Sequence, residues 1–214
     1  MCRLLYINSK NTFSISAYLE KFAEVSKNSK EFQGHGWGCA YLENGNWKYY
    51  KNVMPIWEDD FSKFSSTTRL IVHARSAFMD EGIVVENNMP FYDDNYVFIF
   101  NGELRGVKIK EQGRIGAEKI FNYIKRFDNG DTKEMLRKGT EIILKKTNYV
   151  RAMNIILSNK KASYVYSYFN EDADYFTMYK KETENDVVVC SEKLSDEEGW
   201  MPIQNKTLME IPCY

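Results

Sequence analysis

The order of hydrophobic patterns is the feature that most restricts the fold of this chain. Short β-like runs come first, then two helical stretches in succession, then short β-like runs again. The first strand expected is Cys2 to Ile7. A helix follows at Ser14 to Ser26, where Ile15, Leu19 and Phe22 recur at helical spacing and Ser14 is placed to cap it. Gly36 to Leu42 and Asn46 to Lys51 flank Asn44-Gly45, a strong hairpin signal. Arg69 to His73 and Tyr96 to Phe100 read as buried strands, the second ending on Asn101-Gly102. Helices are expected at Ile115 to Phe127 and Thr132 to Lys146. The last third reads as strands at Ala152 to Ser158, Ser163 to Tyr168, Tyr175 to Tyr179, Val187 to Cys190 and Leu208 to Ile211. Strands and helices do not alternate as they would in a parallel β-α-β sheet. The class is therefore α+β with largely antiparallel sheets, and two stacked sheets covered by helices accommodate the count.

Composition sets the scale. A chain of 214 residues, 43% hydrophobic and 28% charged, suits a single domain over 1–214 with a core that needs no disulfide or metal staple. Lys plus Arg is 29 and Asp plus Glu is 30, so a net charge of −1 gives no footprint for nucleic acid or an anionic membrane. No apolar run approaches the roughly 18 residues of a membrane span. The start, MCRLLYINSK, lacks the pattern of a secretory signal. A cytoplasmic protein with free thiols is the expectation, since none of Cys2, Cys39, Cys190 and Cys213 forms a Cys-x-x-Cys pair. The only histidines are His35 and His73, which leaves few candidates for a His-based metal site or a Ser-His-Asp triad. No metal and no cofactor is expected.

Four places offer chemistry. Met1 precedes a small residue, the context in which methionine aminopeptidases act. Its removal would leave Cys2 with a thiol and a free α-amine on one residue, with reference pKa values near 8.5 and about 7.7–8.0. Such a residue supplies both nucleophile and general base. Taken alone, a cysteine at position 2 is more simply the first residue of a buried strand. Asn101-Gly102 offers a side-chain amide and a closely approachable backbone N–H, the donors an oxyanion needs; the same pair is also a common turn. Arg75, closing the run RLIVHAR, is a fork for a carboxylate, although a lone Arg is usually a surface ion pair. His73, on the same strand face, reads as a structural histidine hydrogen-bonded in the core. Gly34-His35-Gly36-Trp37-Gly38 neither follows a strand nor opens a helix, so it is no phosphate loop. It reads as a tight approach beside a pocket, with Trp37 as a wall.

Together Met1-Cys2-Arg3, His35-Gly36-Trp37-Gly38, His73-Ala74-Arg75, Pro90-Phe91, Phe100-Asn101-Gly102-Glu103-Leu104 and the segment Val187 to Trp200 resemble the class II glutamine amidotransferases of the N-terminal-nucleophile hydrolase superfamily. The likeness is greatest to a stand-alone branch opening with Met-Cys-Arg, which includes γ-glutamyl hydrolases. The resemblance covers nearly the whole chain in order. It implies a four-layer αββα sandwich, Cys2 as nucleophile, Asn101 and Gly102 as the oxyanion pair, and Arg75 for the substrate α-carboxylate. Three departures stand out. Phe100 replaces a His before the Asn-Gly pair, and Phe78 stands where a Thr follows the His-x-Arg motif. The family's Asp-Ser-Glu is matched by Gly116-Ala117-Glu118, so Gly116 stands in place of the Asp that holds the substrate α-ammonium, while Glu118 is retained.

The function this implies is amide hydrolysis. Cys2 attacks the side-chain amide of glutamine or a γ-glutamyl compound, water resolves the thioester, and ammonia or an amine leaves. The chain ends soon after the hydrolase-like domain, so a separate ammonia-accepting synthetase subunit is a candidate partner, with neither nucleic acid nor membrane. Gly116 points to a substrate whose α-amine is absent, blocked or held by Glu118 or Glu111. The alternative is a catalytically impaired binding or regulatory subunit that retains the fold.

Overall fold

A computed structural model describes all residues, 1–214. The strands are β1 (Arg3–Ser14), β2 (Trp37–Glu43), β3 (Asn46–Asn52), β4 (Ser66–Ala74), β5 (Phe91–Tyr92), β6 (Val97–Val107), β7 (Thr147–Ser158), β8 (Ala162–Ser167), β9 (Tyr179–Glu182), β10 (Asp186–Cys190), β11 (Trp200–Pro202) and β12 (Thr207–Pro212). The helices are α1 (Ile15–Lys27), α2 (Gly116–Lys125), α3 (Thr132–Lys145) and the short α4 (Ala173–Phe176). One sheet of seven strands has the order β11-β9-β10-β1-β4-β2-β3, and one of five strands has β12-β8-β7-β6-β5. Every pairing is antiparallel.

Side-chain alternation makes the layers. On β1, Leu4 and Tyr6 face the second sheet, meeting Val97, Ile99 and Ile156 in the main core, while Leu5 and Ile7 face α1 with Leu19 and Phe22. Each such fully buried side chain contributes about 1.5–3 kcal/mol relative to exposure. The five-stranded sheet turns its other face to α2 and α3, where Phe98 stacks on Phe121 at 5.1 Å. The result is helix, sheet, sheet, helices, the expected αββα arrangement.

Local signals explain most boundaries. The Ser14 hydroxyl accepts from the Ala17 N–H at 3.3 Å and starts α1. Asn44 and Gly45 take φ of 52° and 75°, the left-handed pair that joins β2 to β3 tightly. Three expectations need correction. β6 does not end at Asn101-Gly102 but runs on to Val107, because β7 continues to pair with it. Tyr175 to Tyr179 is not a strand. Residues 173–176 form α4, with Tyr175 and Phe176 buried against Ala152, and strand begins only at Tyr179. β1 also outruns its apolar stretch to reach Ser14, with an irregularity between Asn8 and Phe13.

Candidate active site

Register brings Cys2 and Arg75 together. β1 pairs with β4 so that Arg3 faces Ala74 and Leu4 faces His73, which sets Cys2 and Arg75 side by side just past the paired residues. By alternation both share the face of Leu4 and His73, turned toward the second sheet. On β6, Asn101 shares the face of Val97 and Ile99, turned toward the first sheet. The His73 ring lies near the Phe100 backbone of the second sheet.

Cys2 is nearly buried, 9% exposed. Its Sγ accepts the Ser76 N–H at 3.5 Å and lies 3.7 Å from the Ser76 carbonyl. Burial raises the thiol pKa, although the N-terminal ammonium, the Ser76 N–H and Arg75 each oppose the rise. While Met1 is present the Cys2 nitrogen is an amide and can accept no proton.

Arg75 is 5% exposed, and its guanidinium donates to the carbonyls of Gly82 at 2.9 Å and Glu81 at 3.4 Å. It makes no ion pair with a carboxylate, the common alternative for a lone Arg; the arm is held by the loop 76–88 that follows it. His35, read from sequence only as part of a Gly-rich run, is a strut for that loop. Its backbone N–H donates to the Arg75 carbonyl at 3.1 Å and its Nδ1 accepts the Ala77 N–H at 2.9 Å. Accepting at Nδ1 requires an unprotonated nitrogen, and burial lowers the His35 pKa against the pull of Asp80. The loop exposes Phe78, Met79, Ile83 and Val84.

Asn101 and its register partner Asn154 make an instructive contrast. Both are fully buried. Asn154 donates to the Phe176 carbonyl at 2.7 Å and accepts from the Tyr168 N–H at 3.2 Å. Asn101 has no protein partner at either amide atom, an exception that calls for a functional explanation. Gly102 is required by space: a Cβ there would lie 2.1 Å from the Ala152 carbonyl oxygen and 2.8 Å from the Phe100 ring. The strand pair then shifts register between Glu103 and Leu104. His73 is buried as expected, but neither ring nitrogen makes a hydrogen bond. Burial, with Arg75 and Lys51 nearby, drives its pKa to about 3, so the ring is neutral.

Two expected substrate-binding residues are engaged in contacts of their own. Trp37 faces α1, fully buried, with its Nε1–H donated to Asp59 at 2.9 Å; it is a core residue and not a pocket wall. Glu118 lines a recess of about 360 Å³ with Lys51, Glu86, Phe91 and Arg114. Its carboxylate is held by the Arg114 side chain and backbone N–H, which keep its pKa below the ordinary range. Glu111 is likewise paired, with Arg126 at 2.6 Å. Gly116 is exposed at the first turn of α2, and a Cβ there would meet nothing within 4 Å.

A further group was not foreseen. Glu31 pairs with the Met1 ammonium, while Gln33 Nε2 and the Tyr175 hydroxyl both donate to the Met1 carbonyl, the latter at 2.6 Å. Arg151 backs Glu31 at 3.2 Å. Glu31 and Gln33 immediately precede the Gly34–Gly38 run, but nothing in their spacing marks them; α4 delivers Tyr175 from far along the chain.

No family model matches the chain, and no curated protein matches it. Solved structures do. Glutamine phosphoribosylpyrophosphate amidotransferase from B. subtilis, complexed with ADP and GMP, superposes with a TM-score of 0.69 at 14% identity over 99% of this chain. A glutamine aminotransferase class-II domain protein from Silicibacter pomeroyi gives 0.66 at 13% identity, covering 99% of both chains. A predicted glutamine amidotransferase from Pseudomonas aeruginosa gives 0.62 at 17%, covering 99% of this chain and 97% of that one. This chain spans 49% of the B. subtilis enzyme. At these identities the likeness is one of fold: the chain has the N-terminal-nucleophile fold of class II glutamine amidotransferase domains. No helix is long and apolar enough to cross a membrane.

Proposed function

We propose that the chain is a glutamine amidotransferase-like amidohydrolase whose nucleophile is Cys2, exposed as the terminal residue by loss of Met1. The observation that carries this reading is that a near-buried Cys2 thiol and a fully buried, unpartnered Asn101 amide both lie on the sheet faces turned toward each other. A buried amide without partners is costly unless a bound group uses it, and an oxyanion is such a group.

The chemistry balances without a metal or cofactor. The freed α-amine takes the proton from Sγ, and the thiolate attacks the side-chain amide carbon of glutamine or a γ-glutamyl compound. Asn101 Nδ2 and the Gly102 N–H stabilise the resulting oxyanion. As the C–N bond breaks, the α-ammonium returns the proton to the departing nitrogen, releasing ammonia or an amine and leaving a Cys2 thioester. Water, deprotonated by the same amine, cleaves the thioester to a carboxylate and restores the thiol. Arg75 exchanges the Gly82 and Glu81 carbonyls for the substrate α-carboxylate, a stronger, charged acceptor. Ammonia released here would serve an acceptor or be lost to solvent.

A second reading, an impaired binding subunit, draws on Gly116, which offers nothing to an α-ammonium. Incubating the processed protein with glutamine and a panel of γ-glutamyl compounds, with ammonia and amine release as readout, decides between them. Turnover that disappears in Cys2→Ala supports the enzyme. No release from any compound supports the binding subunit.

A further inference from the structure

Building on the proposed loss of Met1, we infer that the socket Met1 vacates is a leaving-group subsite, selecting amide substrates whose leaving amine carries a second, cationic group on an apolar stem. The socket is built for such a group. Its floor is apolar: Met1 packs against the small buried cluster of Ala152, Tyr175 and Phe176. The Tyr175 ring is itself fixed by the Arg3 guanidinium, 4.3 Å above its centroid. Its polar end is specific. Glu31 takes the ammonium, and Gln33 and Tyr175 donate to the carbonyl. Gln33 is fully buried, and its Oε1 has no partner.

Position follows from the mechanism. The Met1 carbonyl carbon is bonded to the Cys2 nitrogen. That nitrogen delivers the proton to the departing amine, so the two must come within about 2.6–3.2 Å. Any leaving group larger than ammonia therefore extends into the space where Met1 sat.

Charge selects the occupant. Arg151 lies among three carboxylates, Glu31 at 3.2 Å, Glu103 at 3.4 Å and Asp172 at 2.8 Å. Arg105 also pairs with Glu103, so with the Met1 ammonium three cations meet three anions; without it, two cations remain. A cation on the leaving amine restores the balance. An amino-acid leaving group would instead set its free carboxylate against Glu31, and like charges repel. A neutral alkyl stem would fill the floor but leave Glu31 without its partner.

The test uses protein trimmed by a methionine aminopeptidase, compared with the Met1-retaining form. L-methioninamide reproduces the ammonium, carbonyl and thioether that the socket holds. Calorimetry should show it binding the trimmed protein, at least tenfold more weakly in Glu31→Gln, and not binding the Met1-retaining form. N-acetyl-methioninamide, which lacks the ammonium, should not bind. Three γ-glutamyl amides with four-carbon leaving amines then test the catalytic role: 1,4-diaminobutane, n-butylamine and 4-aminobutyrate. The diamine conjugate should exceed the butyl amide at least tenfold in kcat/KM, with the aminobutyrate last, and Glu31→Gln should erase the preference. Equal cleavage of all three overturns the subsite and leaves the amidohydrolase reading intact. Methioninamide binding without cleavage of any amide overturns that reading, and the leaving-group role with it, and leaves only a cation site. Equal binding of methioninamide to the Met1-retaining form refutes the socket as its location.

Discussion

Truncating Asn101 should separate catalysis from stability. The Asn101 amide is fully buried and makes no protein hydrogen bond, so Asn101→Ala loses none. The change opens a void no larger than an amide group; at about 24 cal/mol per Å³ this costs less than about 1 kcal/mol. Removing an unpartnered amide from the interior returns about 1–3 kcal/mol. The variant should therefore be as stable as wild type or more stable by up to about 2 kcal/mol, which raises Tm by at most roughly 4–8 °C for a domain of this size. Turnover should fall by about 10²–10³ with KM little changed, because the amide bonds the oxyanion more strongly than the ground-state carbonyl. Scanning calorimetry and steady-state product release measure the two effects on one preparation. A Tm drop of more than about 5 °C would show that Asn101 holds the strands together. An effect confined to KM would make it a binding residue.

Other outcomes follow from neighbouring residues. His73 titrates at about 3 in the folded protein against about 6.5 unfolded, so its contribution to stability is complete above the unfolded value and is lost as pH falls toward 3. Urea unfolding at pH 6.5 and pH 5 should differ by about 2 kcal/mol from this group, and His73→Gln should remove that part of the slope; an unchanged slope would refute the neutral, buried ring. Arg75→Ala should abolish use of substrates bearing an α-carboxylate and, by freeing the carbonyls of Glu81 and Gly82, speed proteolysis within residues 76–88; Lys at this position should not restore activity, for lack of a fork. Gly116→Asp should fold normally, since its Cβ meets nothing and an acid suits the first turn of α2, and should improve kcat/KM for glutamine. No improvement would show that Gly116 does not occupy the place of the ammonium-binding Asp.

Much of the fold was legible in the sequence because local rules and tertiary packing agree. Ser14 caps, Asn44-Gly45 turns, and the apolar spacing of α1 and α3 recurs as buried faces. The rules failed where long-range pairing decided. Asn101-Gly102 looks like a turn, yet β7 holds it in strand, and the space needed by the Ala152 carbonyl explains the glycine better than turn chemistry does. Tyr175 to Tyr179 has β-forming residues, but packing of Tyr175 and Phe176 on Ala152 selects a short helix. At the site, Cys2, Arg75, Asn101 and Gly102 stood out because their chemistry is carried by residue type and by short motifs kept in order along the chain. Trp37 was misplaced because alternation along β2 fixes its face, and one sequence does not reveal which face is the pocket. Glu31, Gln33 and Tyr175 had no local signature, since only the three-dimensional fold gathers them around the first residue.

The central claim, that Cys2 becomes a terminal nucleophile, is tested most directly by intact-protein and peptide mass spectrometry after treatment with an electrophilic glutamine analogue. The account predicts a chain short by one methionine, labelled on Cys2 alone. Cys39 and Cys190 are fully buried with thiol pKa values pushed upward, and Cys213 lies away from the site beside Tyr6 and Arg69. A label on any of those three, or full activity in Cys2→Ala, would contradict it.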